Sequence, residues 1–154
     1  MKKWHFLFFF LASMIFSGCS MQRYFILSNS TNETISVKYS FDDPTSPTAI
    51  FNLPSEIYQS TKGNTPNWEH QLPYKDLDIS NNNVYIKLPP KSTLLFGILN
   101  NDDYDMATMK SESGKLFNLK QMKFTVSGTE FLIDKGNFHN FFLKEAGMFR
   151  YVIQ

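Results

Sequence analysis

Polar and apolar residues alternate most strictly over positions 34–41. Ile35, Val37, Tyr39 and Phe41 alternate with Thr34, Ser36, Lys38 and Ser40, which predicts a strand with one buried face. A polar cluster at 28–33 separates it from the apolar segment Tyr24-Phe25-Ile26-Leu27, so the two are expected to form a hairpin. Short edge strands are expected at 50–53 and 56–59, around Pro54. Residues 62–83 show little periodicity and carry Gly63, Pro66, Pro73 and three consecutive Asn, which reads as a long loop. Strands at 84–88 and 92–99 flank the Pro-rich corner Pro89-Pro90-Lys91, and those at 122–126 and 130–133 flank the turn Ser127-Gly128-Thr129. Near the end, Phe138, Phe141 and Phe142 follow helical spacing between a capping Asn137 and a stop at Gly147, ahead of a last strand at 148–153.

Seven to eight short strands and one short C-terminal helix favour an antiparallel β-sandwich over residues 24–154. An eight-stranded barrel is the alternative, and the Pro-rich corners and the late helix count against it.

The first residues follow a different pattern. Lys2 and Lys3 precede an apolar run at 6–16 that is interrupted only by Ser13, and Ile15-Phe16-Ser17-Gly18-Cys19 closes it. The run is short for a bilayer core of ~30 Å, which takes about 20 apolar residues, and small residues before Cys19 suit a peptidase. This segment resembles the signal peptide of bacterial lipoproteins. The resemblance implies cleavage after residue 18, diacylglycerol on the Cys19 sulfur, and further acylation with chains such as palmitate. Since Ser20 is not the Asp that favours inner-membrane retention, it also implies outer-membrane placement, with the domain facing the periplasm. Residues 19–23 would be the whole tether.

Composition narrows the function classes. The chain has 154 residues, and removing the first 18 leaves 136, enough for one domain with its own core. Two of the 15 basic residues lie in the signal, so 13 face 14 acidic ones. That balance gives no reason to expect nucleic-acid binding. Cys19 is the sole cysteine, so disulfides, thiolate metal sites and a cysteine nucleophile are not expected.

A search for chemistry finds no Gly-rich phosphate loop, no His-Glu-x-x-His and no Gly-x-Ser-x-Gly, and implies no cofactor. His139 sits among phenylalanines and reads as a packing residue. Asn101, Asp103 and Asp105 resemble the opening of a calcium loop, but the glycine and later Glu of that loop are missing, so an acidic turn is the better reading. The candidate binding residues are Tyr58, Trp68, His70 and Tyr74, which lie in or beside the long loop among Asn and Gln. Such aromatic anchors suit a protein interface, and equally a sugar. The expected function is non-enzymatic: a lipoprotein held to the membrane by acyl chains on Cys19, docking a protein partner in an envelope assembly such as a secretion system. A glycan- or small-ligand-binding lipoprotein using Trp68 is the alternative.

Overall fold

The computed structural model describes residues 21–154 apart from 53–54, 74–77 and 81, and only the backbone of 78–80. Cys19 and Tyr74 lie outside the described residues. The strands are β1 (Gln22–Asn29), β2 (Ile35–Phe41), β3 (Glu56–Ser60), β4 (Pro66–Leu72), β5 (Asp78–Ser80), β6 (Asn83–Leu88) and β7 (Ser92–Asn100). They continue with β8 (Tyr104–Asp105), β9 (Lys110–Ser111), β10 (Leu119–Val126) and β11 (Thr129–Asp134). A single helical turn, α1 (Phe138–Phe141), precedes β12 (Leu143–Glu145) and β13 (Met148–Ile153).

Among the described residues, six strands form a first sheet in the order β12-β13-β1-β7-β3-β4, and five form a second, β11-β10-β2-β6-β5; β8 and β9 pair alone. Neighbours run antiparallel except β1 and β13, which run parallel. The sheets face each other across one core. Phe25, Leu94, Phe96 and Phe149 of the first meet Val37, Tyr39, Ile86 and Phe124 of the second, all buried. The rings of Tyr39 and Phe96 lie 6.4 Å apart across the gap. Among the described residues both sheets keep free edges, as a sandwich does and a closed barrel does not.

The alternation over β2 is as expected, with Ile35, Val37, Tyr39 and Phe41 turned into this core. The hairpin expected between β1 and β2 does not form, since the chain crosses from one sheet to the other there. Phe25, Ile26 and Leu27 are all buried because β1 lies inside its sheet and is covered on both faces. A second crossing takes β6 into β7 at the expected Pro-rich corner. Buried Asn29 joins the two crossings. Its Nδ2 donates to the carbonyls of Glu33, Leu88 and Pro89 (2.8, 3.2 and 2.9 Å), and its Oδ1 accepts from the Thr31 N–H and hydroxyl.

Three further expectations change. Residues 62–83 are not one loop, because β4 and β5 lie within them. β4 reads as polar because it is an edge strand with most side chains exposed, and Pro66 takes its first position, where no ladder donor is needed. β3 is interior, lying between β7 and β4, while Ile50 and Phe51 are buried without a strand of their own. There the Asn118 amide substitutes for one, accepting from the Phe51 N–H (2.8 Å) and donating to the Phe51 carbonyl (2.9 Å).

The helix stops at Phe141. Phe142 stacks on Phe138 with ring centroids 4.4 Å apart, and the chain then turns extended to pair with β13. Gly147 therefore ends no helix. With Ala146 it forms the turn of the β12–β13 hairpin, both residues at positive φ (83° and 46°). Ser127 and Gly128 form a turn of the same kind between β10 and β11 (φ 49° and 80°), where a hairpin was expected.

Candidate functional site

The outer face of the first sheet carries an aromatic group. Alternation along β1 sends Phe25 and Leu27 into the core, which leaves Tyr24, Ile26 and Ser28 on the other face. Ile26, Leu95 and Tyr58 form a small apolar cluster there, with Tyr24 and Met148 packed against it. The β3–β4 hairpin folds over this face. Its turn accepts hydrogen bonds from two distant strands, the Asn64 carbonyl from the Ser28 hydroxyl (2.7 Å) and the Gly63 carbonyl from Arg150 (2.8 Å). Beneath it the hydroxyls of Ser28, Thr93 and Ser60 form a chain, with links of 3.1 and 2.7 Å.

That fold-over sets Trp68 down beside Tyr24 and Tyr58, at ring-centroid distances of 4.8 and 5.2 Å, with the indole still 49% exposed. Burial and a 2.6 Å hydrogen bond to Glu56 push the Tyr58 hydroxyl pKa up to about 12, so it stays a neutral donor. Two of the four candidate residues, Tyr58 and Trp68, are thus brought together. His70 stands on the exposed part of β4, and Tyr74 lies outside the described residues. Tyr24 belongs to the group but was read only as part of an apolar segment. Its outward position could have been found from alternation along β1.

The outer face of the second sheet holds a feature that the candidate list missed. An open groove of about 450 Å³ is lined by Ser36, Lys38, Tyr85, Lys87, Lys123 and Glu130, among others. Lys38 is in register with Lys123 on one side and Tyr85 on the other. Its Nζ lies 4.8 Å from the centre of the Tyr85 ring, a cation–π contact. The Lys123 Nζ is 3.4 Å from a Glu130 carboxylate oxygen. Among the described residues, three lysines and one glutamate line the groove.

The acidic stretch does not converge on a point. Asp102 accepts from the Ser113 N–H and hydroxyl (3.1 and 2.5 Å). Its burial opposes the charged form, but bonds from Ser113 and Ser111 outweigh that and lower its pKa. Asp103 takes a two-pronged bond from Arg23 (2.8 and 3.2 Å), which holds its carboxyl well below the usual range. Asp105 accepts from the Ala107 N–H and the Thr108 hydroxyl (both 2.8 Å). Among the described residues, no three His, Cys, Asp or Glu side chains gather as a metal would require. His139 packs edge-on to Phe138 at 5.2 Å, and its Nε2 lies 3.1 Å from the hydroxyl of buried Tyr104. Burial lowers its pKa, as suits a packing residue.

Compared with known proteins, the chain matches no family model, no curated protein and no solved structure.

Proposed function

We propose that this chain is a lipid-anchored, non-enzymatic protein of the bacterial envelope, a component of an assembly such as a secretion system. It is held to the outer membrane through Cys19 and faces the periplasm. Its sandwich presents the lysine-lined groove of the second sheet to a protein partner with an acidic segment. The observation that carries this reading is the register of Lys38 against Lys123. Two ammonium groups set side by side on neighbouring strands, one beside Glu130 and one over the Tyr85 ring, offer an anionic segment a pair of cations at once. The groove is also open to solvent, not enclosed as a small-ligand cavity is. A glycan reading would instead place its sugar on Trp68, which packs against Tyr24 and Tyr58 and is 49% exposed.

Photo-crosslinking from position 125, on the groove wall, tests the proposal in the native host membrane. One discrete partner adduct is expected, weakened by salt and lost in the Lys38→Glu/Lys123→Glu variant. An adduct that survives the double charge reversal in a folded protein would remove the groove from the function.

A further inference from the structure

We infer that the outer face of the first sheet, around Trp68, rests on the lipid surface to which Cys19 ties the protein. This inference depends on the lipid-anchor reading above. The first support is the continuity of the patch. Met148, Tyr24 and Ile98 are direct cross-strand neighbours on β13, β1 and β7, and Trp68 packs on Tyr24. Leu143 lies on the same face, on the strand beyond β13. Trp68, Ile98 and Leu143 are 49%, 38% and 63% exposed, which is high for large apolar side chains grouped on one face.

The second support is covalent reach. Tyr24 lies five residues after Cys19, and five residues of extended chain span at most roughly 18 Å. The Tyr24 backbone therefore lies within that distance of the Cys19 backbone, and a bilayer is the surface that the anchor brings near it. The third support is the chemistry of the face. Tryptophan and tyrosine settle at the boundary between headgroups and hydrocarbon, with the apolar ring inward and the polar edge wet. On the same face Arg150 is ion-paired with Glu145, and the Glu56 carboxylate accepts a hydrogen bond from the Tyr58 hydroxyl. A sandwich lying on this face turns its other sheet, with the lysine groove, away from the membrane and toward a partner.

The mature chain supplies its own probe. The sequence has two tryptophans, and Trp4 leaves with the signal, so all tryptophan emission reports on Trp68. Acylated protein purified from membranes is reconstituted into phosphatidylethanolamine–phosphatidylglycerol vesicles and floated. Failure to float, or absence of lipid on Cys19, overturns the anchor reading itself. If the protein floats, Trp68 is expected to lose about half its emission to phospholipids carrying a nitroxide near the headgroup, the depth at which interfacial aromatic rings lie. It is also expected to resist aqueous iodide. Ile98→Asp/Leu143→Asp, both at exposed positions, should still float through Cys19 but regain iodide quenching. Trp68 as open to iodide on vesicles as in the unacylated Cys19→Ala protein would overturn the inference. So would shielding from iodide without nitroxide quenching, which means that a second copy or another protein covers the patch.

Discussion

Gly97→Ala puts the packing argument to its sharpest test. Gly97 lies opposite Phe25 in β7, at the point where the register of β1 and β7 shifts by a residue. Its φ is not in the left-handed region, so alanine meets no backbone penalty there. What it meets is the core. A Cβ would sit 2.5 Å and 2.9 Å from two ring carbons of Phe51 and 3.2 Å from Phe25. Carbon pairs prefer about 3.5–4.0 Å, so the Phe51 ring must retreat by about 1 Å.

Retreat is blocked. Phe51 is fully buried, with Phe41 stacked on it at 5.7 Å and Phe25 and Phe117 edge-on at 4.9 and 5.0 Å. Asn118 holds its backbone at both the N–H and the carbonyl. Overpacking of this kind costs about 1–3 kcal/mol. Replacing glycine in a strand returns roughly 0.5–1 kcal/mol. The expected net loss is about 1–2 kcal/mol, or roughly 4–7 °C in Tm for a domain of this size.

Equilibrium urea unfolding followed by circular dichroism measures the loss. Phe51→Leu added to Gly97→Ala should cost less than the two single losses combined, by about 1 kcal/mol, because the smaller side chain vacates the contested space. A neutral or stabilising Gly97→Ala, or strict additivity of the two changes, would refute the reasoning.

Four further outcomes are expected. Val37→Asp should cost about 4 kcal/mol or more in a urea titration, since it places an unpaired carboxylate in the core, whereas Lys38→Asp on the outer face should stay within about 0.5 kcal/mol. Asn29→Ala should cost about 3 kcal/mol by the same titration, because it orphans the carbonyls of both sheet crossings. Arg23 depresses the Asp103 pKa below its unfolded value, so the stabilisation is complete above about pH 4–5 and drains away as pH falls toward the folded value; Asp103→Asn should cost about 1–2 kcal/mol at neutral pH and flatten that acid limb in urea midpoints taken across pH. Cys19→Ala should abolish incorporation of labelled palmitate, and label retained on the variant counts against the lipoprotein reading.

Local interactions made much of this protein readable from residue order alone. A period of two over residues 35–41 defines a buried face wherever that strand is placed. Ser127-Gly128 turns a hairpin because its residues accept positive φ, and two prolines at 89–90 end a strand whatever follows. Pairing is different, because it joins residues that the chain keeps far apart. Whether 24–27 pairs with 35–41 or with 92–100 depends on which arrangement covers both faces of Phe25, Ile26 and Leu27, and only the folded sheets decide that. β4 carries no apolar period because it is the edge strand among the described residues and most of its surface is wet, so it reads as loop. The two candidate surfaces have the same origin. Trp68 meets Tyr24 only because the β3–β4 hairpin folds over the first sheet. Lys38 meets Lys123 only because β2 and β10, distant in sequence, are neighbours in the second. Alternation shows which face each side chain takes; strand order, fixed by burial across the whole domain, shows what it stands beside.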